Sequence, residues 1–389
     1  MKLVRFDSAQ GARIGVLDGD GGVVDIAASC EASGGLSEAE RAVLGDVNAF
    51  IASAQAGQAL ARRALAAGGS RVVVPSARLL APLVPGIILA TGGNYADHLD
   101  EIADLALSGK DPAFFFKTPR AVIGPDAGIE LDARLTRKLD YEIELAVVIG
   151  KPGRWIREED AAAHIYGYTI LNDVTLRDRQ ITFQNGLAAI ELGGSKNFAT
   201  SCPLGPVVVT ADDIADPQRL ALRTTVNGEL RQNNSTALMI SSVYRLVSFF
   251  SQFLPLQPGD VITTGTPGGT GWAGAGPAGA ACGRCCNCRA NRGSGPARAS
   301  ARAGRRFSAV SARGADRAGS DKIPLRIVKA ADPGPGGPGR HGIREDAILQ
   351  AIEAGARVPG RMRAVPPAGP PAPRRPRGCP RISATSVIE

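Results

Sequence analysis

The sequence predicts an α+β fold in which β-strands predominate. Short alternating or β-branched runs recur along residues 1–272, and only a few segments show the spacing of an amphipathic helix. Strands and helices do not alternate regularly, as they would in a doubly wound α/β protein. A chain of 389 residues is long enough for one large domain or two ordinary ones.

The first 75 residues are expected to form a small N-terminal α/β domain. Three short strands, KLVRF, RIGVLD and GVVDI, are separated by turns rich in Gly and Asp. A helical region follows at residues 36–69, with Ser37 and Asp46 in capping positions and two glycines at its end.

Residues 76–272 are expected to form the main domain. Its strands are predicted in GIILATG, AFFFK, YEIELAVVIG, YGYTILND, PLGPVVVT, LALRTTVNG and DVITTG. One long helix is predicted at residues 235–253, because its apolar residues recur at spacings of four and three and would face the core. That stripe consists of Met239, Val243, Leu246, Phe250 and Phe253.

The positive charge of the chain lies in its last part. Residues 1–272 hold 24 Lys/Arg and 30 Asp/Glu, residues 273–389 hold 21 and 7, and the overall net charge is +8. The first part gives no reason to expect nucleic acid or a membrane as a partner. It has no apolar run of about 18 residues, so no transmembrane helix is expected, and its start lacks an apolar region, so no signal peptide is expected. Its two isolated cysteines, Cys30 and Cys202, fit a cytoplasmic protein.

Residues 273–389 are expected to be mostly disordered or to be the product of a reading-frame shift. They contain 14 of the 27 prolines and one aromatic residue, and only residues 344–357 show an apolar period. A genuine basic extension is the alternative to a frame shift. The four cysteines of CGRCCNC, at residues 282–288, form an incomplete zinc motif because no second pair of ligands follows.

The segment KLDYEIELAVVIG, residues 138–150, has an acidic second face. One face of this predicted strand is apolar throughout, and the other carries Asp140, Glu142 and Glu144 before it continues into Ala and Val. The second face is therefore also expected to enter an interior, where carboxylates need a partner. That partner is either a cation held by Glu142 and Glu144, or Arg and Lys side chains from elsewhere.

Two further segments carry groups suited to catalysis. In TGGNYADHLDEI, His98 and Glu101 are three apart on one helical face, as a general base and its orienting carboxylate would be, or as a surface ion pair would be. In YGYTILNDVTLRDRQ, Asp173 ends a strand where a third carboxylate ligand would lie. Arg177 and Gln180 follow and could hold a substrate carboxylate, although a helix cap and a surface Arg are the alternative.

Two glycine-containing segments complete the candidates. In ELGGSKNF, Lys196 is placed to reach an anionic substrate or the carboxylate of Asp173. In PGDVITTGTPGGTG, Thr266 and the glycines would let backbone amides approach a ligand. This loop is not a phosphate-binding loop, because no Gly-Lys-Ser/Thr follows.

Taken together, these motifs resemble the fumarylacetoacetate hydrolase family in order and spacing. The motifs are GGNYADHLDE, FFFKTP, LDYEIELAVVIGK, GYTILNDVTLRDRQ, GSKNFATSCPLGPVVVTADDI, TTVNGELRQ and PGDVITTGTPGGTG, within residues 1–271. The resemblance is to the branch of 2-hydroxyhepta-2,4-diene-1,7-dioate isomerases and acylpyruvases. It implies a mixed β-sandwich roll with a small N-terminal domain, and a homodimer.

The resemblance also implies a role for each candidate residue. Glu142, Glu144 and Asp173 would bind Mg²⁺ or Mn²⁺, an assignment that suits the preference of hard cations for oxygen ligands. His98 and Glu101 would form a water-activating dyad on a mobile lid. Lys196 would be a further catalytic residue, and Arg177, Gln180 and Thr266 would hold the substrate.

The implied substrate is a small anionic 2-oxo or 1,3-dicarbonyl acid. The implied reaction is C–C bond hydrolysis, decarboxylation or keto–enol isomerisation, as in aromatic catabolism. Family members continue after the glycine loop into a final strand, which is missing from residues 273–389. An inactive or truncated family member, or a binding protein acting through the basic segment, is therefore the alternative.

We expect trypsin to cleave residues 273–389 well before residues 80–270. The basic segment carries many Arg sites, and these would lie in unprotected chain. Mass spectrometry of a timed digest checks the order of cleavage. A resistant fragment that contains residues 280–380 would show that this segment is a folded domain and would contradict the frame-shift interpretation.

Overall fold

The computed structural model describes residues 1–68, 71–72, 78–101, 111–184, 187–272 and 321–324. Strand outweighs helix there, so the predicted α+β, mainly β fold is confirmed. The first strands are β1 (Lys2–Ser8), β2 (Gly11–Leu17), β3 (Val23–Asp25), β4 (Arg71–Val72), β5 (Leu79–Leu80), β6 (Ile88–Gly92), β7 (Ala113–Lys117), β8 (Val122–Ile123), β9 (Gly128–Leu131), β10 (Leu139–Asp140) and β11 (Ile143–Ile149). The later strands are β12 (Ile165–Asn172), β13 (Thr175–Leu176), β14 (Ile181–Gln184), β15 (Leu187–Ile190), β16 (Cys202–Pro203), β17 (Val208–Thr210), β18 (Ala221–Val226), β19 (Glu229–Ser235), β20 (Val261–Thr263) and β21 (Asp321–Pro324).

The α-helices are short and are concentrated near the N-terminus. They are α1 (Ile26–Ala32), α2 (Glu38–Gly45), α3 (Val47–Ala52), α4 (Gln55–Ala66), α5 (Ala96–Glu101), α6 (Arg177–Gln180), α7 (Gly193–Lys196) and α8 (Val243–Phe253). Turns of 3₁₀ helix lie at Pro119–Ala121, Glu158–His164, Ala211–Asp213, Pro217–Arg219 and Thr236–Leu238.

Within the described residues, eleven strands form one sheet. Its order is β4-β3-β2-β1-β17-β12-β11-β20-β6-β7, with β5 also paired to β1. Neighbouring strands are antiparallel except for β20 and β6, which are parallel. Strand β11 lies inside the sheet between β12 and β20, and all seven of its residues are buried. Because β11 lies inside the sheet, the acidic segment at its start also lies in the interior.

A hydrophobic core covers each face of this sheet. On one face, Ala146 and Val148 of β11 belong to a cluster with Phe50 of α3 and residues of α1 and α4. On the other face, Leu145 and Val147 belong to a cluster with Leu246 of α8. The predicted entry of both faces of the strand into an interior is therefore confirmed.

The N-terminal segment extends the main sheet. Strand β1 pairs with β17, so the boundary predicted near residue 75 does not divide the sheet. The predicted helical region is three helices, α2, α3 and α4. Ser37 caps α2 in a capping box and Asp46 caps α3, as their positions in the sequence predict.

The predicted long helix is shorter than its apolar spacing suggested. Helix α8 begins at Val243, with the Ser242 side chain accepting from Arg245 N, and Met239 lies outside it. Phe253 is 53% exposed, so the core-facing stripe ends at Phe250. The helix is limited because the preceding residues form β19 and a 3₁₀ turn.

Four residues of the basic segment are described, and they form a strand that the sequence did not predict. Strand β21 pairs antiparallel with β9, with Asp321 opposite Leu131. The four residues, DKIP, show no alternation and end in a proline, which disfavours a strand. The predicted helix at residues 344–357 and the cysteines at 282–288 lie outside the described residues. Among the described helices, none has the length and hydropathy needed to cross a membrane.

Candidate active site

Three carboxylates meet where β11 begins and β12 ends. Because Ile143 lies opposite Asn172, Glu142 and Asp173 are neighbours across the two strands, and Asp173 N donates to Glu142 O at 2.8 Å. Glu144 follows on the same face as Glu142. Oxygens of these three carboxylates lie within 4.8 Å of one another, and all three residues are buried. The alternation thus brings together the acids that the sequence grouped.

Three basic side chains from separate elements contact two of these acids. Lys196 Nζ, in α7, lies 2.5 Å from Glu142 Oε2 and 2.7 Å from Asp173 Oδ2. Arg177 Nη2, in α6, lies 2.5 Å from Glu142 Oε1. Lys117 Nζ, in β7, lies 2.7 Å from Asp173 Oδ1. Glu142 and Asp173 therefore already have cationic partners within the protein.

The acids differ in how well the protein stabilises their charge. Burial opposes ionisation of Glu142, but the charges of Lys196 and Arg177 outweigh it and lower the pKa of Glu142 to about 2. Burial raises the pKa of Glu144 well above its ordinary value of 4.5, and the charge of Asp173 adds to that effect. Glu144 is therefore the member of the trio that lacks sufficient positive charge nearby.

A hard divalent cation fits this set of residues. The donors are carboxylate oxygens only, which Mg²⁺ and Mn²⁺ prefer. Four acids are buried here against three basic side chains, so the cluster is short of positive charge. The acids are Asp140, Glu142, Glu144 and Asp173, and the bases are Lys117, Arg177 and Lys196. A divalent ion would supply the charge that Glu144 needs.

The predicted histidine–carboxylate pair is present on α5. His98 Nδ1 lies 3.0 Å from Glu101 Oε2, and His98 is buried at the edge of the cleft. Thr270 Oγ1 also donates to Glu101 Oε2, at 3.3 Å. Glu101 is thus held in place from a second segment, and the alternative of a surface ion pair does not describe this arrangement.

The glycine-rich loop after β20 donates its backbone amides to carboxylates of the protein. Gly265 N donates to Glu144 Oε2 at 3.0 Å, Gly268 N to Asp97 Oδ2 at 3.0 Å, Gly269 N to Glu101 Oε1 at 2.5 Å, Gly271 N to Asp140 Oδ1 at 2.8 Å, and Trp272 N to Asp140 Oδ2 at 3.2 Å. The sequence analysis expected amides of the loop glycines to approach a ligand; in this structure the amides of Gly265, Gly268, Gly269 and Gly271 donate to carboxylates of the protein. Ionised carboxylates are strong acceptors, and several lie within reach of the loop.

The carboxylate trio and His98 line one cleft that is partly open to solvent. Eight of the nine predicted site residues line it, and Glu101 lies behind His98. Arg177 donates from Nη1 to Gln180 Oε1 and from Nε to Asp140 Oδ2, each at 2.7 Å. Thr266 lines the cleft from the glycine loop. Apolar side chains complete the lining, namely Ala113, Phe115, Ile190, Leu192 and Trp272.

Three buried residues of the site were missed by the sequence analysis. Lys117 sits in FFFKTP, Asp140 begins the acidic face, and Gln232 ends TTVNGELRQ, so each lies in a motif that was noted. Lys117 and Gln232 are 1% and 0% exposed. For Lys117 and Asp140 the available signal was a charged side chain within a predicted strand, since a buried charged group requires a partner. Gln232 lies beyond the predicted strand LALRTTVNG, so the sequence offered no such signal for it.

Comparison with known proteins supports the family resemblance that the motifs indicate. The model of the fumarylacetoacetate hydrolase C-terminal domain matches residues 87–307. The match extends past Gly271, where the motif resemblance ended, into the basic segment. Among relatives, the mitochondrial oxaloacetate tautomerase FAHD2B of Bos taurus is 38% identical over 275 residues, which are 70% of this chain and 82% of that protein. The oxaloacetate tautomerase YisK of Bacillus subtilis is 43% identical over 184 residues, 47% of this chain and 59% of that protein.

Solved structures also support the family resemblance. A fumarylacetoacetate hydrolase from Exiguobacterium antarcticum is 35% identical with a TM-score of 0.55, covering 70% of this chain and 88% of that one. A maleylpyruvate hydrolase from Sphingobium sp. SYK-6, in complex with manganese(II) and pyruvate, is 30% identical with a TM-score of 0.54. That likeness covers 69% of this chain and 90% of the hydrolase.

We expect Glu144→Gln to weaken Mn²⁺ binding by at least about 100-fold, measured by isothermal titration calorimetry. The substitution keeps the side-chain shape but removes a charged ligand, and loss of outer partners alone typically costs about 10- to 100-fold. Glu101→Gln is the matched control: it neutralises a nearby acid outside the trio and should leave Mn²⁺ affinity unchanged. Equal affinities for Glu144→Gln and the native protein would contradict the metal assignment.

The same variant has an expected effect on the metal-free protein. Because burial raises the pKa of Glu144 in the folded state, this carboxyl contributes stability at pH values below its ordinary pKa of 4.5, and that stability is lost as the pH rises through the folded-state pKa. The Gln side chain does not ionise, so the Glu144→Gln variant does not lose this stability as the pH rises. Thermal unfolding in EDTA at pH 8 should therefore find the variant at least as stable as the native chain.

Proposed function

The chain belongs to the fumarylacetoacetate hydrolase family of enzymes, and from that premise we propose that it catalyses keto–enol tautomerisation of a small 2-oxo dicarboxylic acid such as oxaloacetate. The proposed cofactor is Mg²⁺ or Mn²⁺, held by Glu142, Glu144 and Asp173. The names of two relatives as oxaloacetate tautomerases support the choice of reaction.

The observation that carries the proposal is one cleft lined by both the carboxylate trio and His98. Tautomerisation needs a base that removes a proton beside the carbonyl and a site that stabilises the enolate that forms. A bound divalent cation would stabilise that enolate as a Lewis acid. The two requirements therefore meet in one place.

Histidine 98 is the proposed base. Its Nδ1 is hydrogen-bonded to the Glu101 carboxylate, so Nδ1 carries a proton in the neutral ring and Nε2 has the free lone pair. Glu101 also stabilises the imidazolium that forms when Nε2 takes a proton from the substrate. The same proton can then be returned to the enolate oxygen or carbon, so the reaction needs no other reactant.

The charge of the cleft supports an anionic substrate. With a divalent cation bound, the four buried acids and three buried bases would carry a net positive charge. Arg177 hydrogen-bonds to Asp140 from Nε and to Gln180 from Nη1, while its Nη2 lies beside Glu142 with no hydrogen bond in the described structure. Its remaining N–H groups have the planar arrangement that suits a carboxylate.

We expect the full chain to accelerate ketonisation of enol-oxaloacetate in the presence of Mg²⁺ and to be inactive in EDTA. The decay of the ultraviolet absorbance of the enol measures the rate. Oxalate, a planar dianion that mimics the enolate, should compete with oxaloacetate only when the metal is present. Release of pyruvate from maleylpyruvate, with no effect on oxaloacetate, would favour C–C hydrolysis, the activity in the name of the Sphingobium enzyme.

His98→Ala should lower the tautomerase rate by about 10²- to 10⁴-fold, the usual contribution of a general base. Affinity for Mn²⁺ should be retained, because His98 is not a ligand. His164→Ala is the matched control, since His164 lies outside the cleft and bonds to Lys151 O. A fully active His98→Ala enzyme would rule out the dyad as the base.

A further inference from the structure

Gln232 is an amide side chain enclosed between the acidic strand and the glycine loop. It is the one buried residue of β19 and is 0% exposed. The register of β18 and β19 shifts next to it, between Thr224 and Thr225, and such a bulge re-aims a side chain. The amide therefore points into the protein, where each of its hydrogen bonds has a defined partner.

The orientation of this amide is fixed by two backbone groups. Its Oε1 accepts from Ile143 N at 3.1 Å, and its Nε2 donates to Pro267 O at 2.9 Å. A backbone N–H only donates and a carbonyl only accepts, so the opposite orientation would leave both unsatisfied. The remaining positions are filled by Thr224 Oγ1, which donates to Oε1 at 3.0 Å, and by Thr266 Oγ1, which accepts from Nε2 at 2.8 Å.

This arrangement determines the direction in which the Thr266 hydroxyl donates. Its oxygen receives the hydrogen bond from Gln232, so its own hydrogen must point elsewhere. The acceptor recorded for it in the described structure is Pro267 O, which also accepts from Gln232 at 2.9 Å, and the contact from Thr266 is long, at 3.5 Å. Thr266 lines the cleft, so an oxygen of a bound substrate would offer its O–H a closer acceptor.

We propose that Gln232 is a positioning residue that orients the Thr266 hydroxyl as a hydrogen-bond donor to an oxygen of the bound substrate. The same amide fixes Thr266 relative to the acids, because Ile143 N lies in the backbone between Glu142 and Glu144. The proposal rests on the proposed function, in which the cleft lined by Thr266 binds an anionic oxo acid. It adds that this site favours a ligand with an acceptor, and not a donor, at that point.

The decisive substitution is Gln232→Glu. A carboxylate keeps both acceptor contacts, to Ile143 N and Thr224 Oγ1, but loses both donor contacts. The Thr266 hydroxyl would then donate to the new carboxylate and turn away from the ligand. Oxalate binding to the Mg²⁺-loaded full chain, measured by calorimetry, should weaken about 10- to 100-fold, the usual effect of losing a hydrogen bond to a charged group.

A double-mutant cycle separates this effect from simple charge repulsion. Thr266→Val alone should weaken oxalate binding by a similar factor, and adding Gln232→Glu should change it by less than about twofold. Gln232→Met, which adds no charge, should also weaken binding and should also lose its effect beside Thr266→Val. If circular dichroism shows that Gln232→Glu does not fold, the results for Gln232→Met test the role of Gln232 instead.

Thr224→Val is the matched control. It removes the other side-chain partner of Gln232 with an isosteric strand residue and leaves the contacts to Thr266, Pro267 and Ile143 in place. Native oxalate affinity is expected for it, and Mn²⁺ binding should not weaken in any of the Gln232 variants. A loss in Thr224→Val equal to that in Gln232→Glu would show that Gln232 acts only through packing, and would overturn the proposal.

The failure of this inference is distinguishable from the failure of the proposed function. Independent, multiplicative losses in the cycle, or a Gln232→Glu enzyme with native oxalate affinity, would overturn the role of Gln232 while the native chain still binds oxalate and converts oxaloacetate. If the native chain with Mg²⁺ does neither, the proposed function falls and the inference falls with it.

Discussion

Burial of carboxylates inside the sheet is the constraint on which the rest of the site depends. Glu142, Glu144 and Asp173 are each at most 4% exposed, at the point where β11 and β12 pair. An ionised carboxylate without a partner is costly to bury, and removing one partner from a buried pair typically costs about 3–5 kcal/mol. Basic side chains from β7, α6 and α7 offset this cost by pairing with Glu142 and Asp173, so three separate segments meet at one strand end.

The glycine loop also stabilises carboxylates, because its backbone amides donate hydrogen bonds to them. Five of its amides are committed to carboxylates, and these acids come from both the acidic segment and α5. The loop can lie close to these acids because of its glycines: a Cβ on Gly271 would clash with Asp140 Oδ1, and one on Gly268 would clash with Asp97 Oδ2. One loop thus ties the acids that would bind the cation to the helix that carries His98.

Local patterns predicted the parts of the site that depend on local geometry. A period of two placed Glu142 and Glu144 on one face, and a spacing of three placed His98 beside Glu101, because strands and helices fix these relations wherever they form. Asp173 was grouped with them from its place at a strand end. Other contacts of the site join residues at least 34 positions apart in the sequence, and no local period encodes such contacts. They are the contacts of Lys117, the bond between Arg177 and Asp140, and the bonds of Gln232 other than the one to Thr224.

The same limit explains the errors at the level of the fold. The apolar spacing of residues 239–253 is real, but Thr236–Leu238 forms a 3₁₀ turn and Ser242 caps the helix, so α8 begins only at Val243. Strand β21 forms by pairing with β9, a contact between distant segments that the local sequence does not show.

Lys117 shows how the buried charges organise the site before any ligand is present. Its ammonium lies 2.7 Å from Asp173 Oδ1 and 2.5 Å from Lys196 O, so one group holds both an acid and the segment that carries the second lysine. Lys196 then bridges Asp173 and Glu142, and Arg177 continues from Glu142 to Asp140, which receives the end of the glycine loop. A point charge suits the compact bridges, whereas the planar guanidinium suits the three acceptors around Arg177. Since every link is buried and shared, the acids are held in a fixed arrangement, and a substrate would meet a preorganised site whose ordering cost was met during folding.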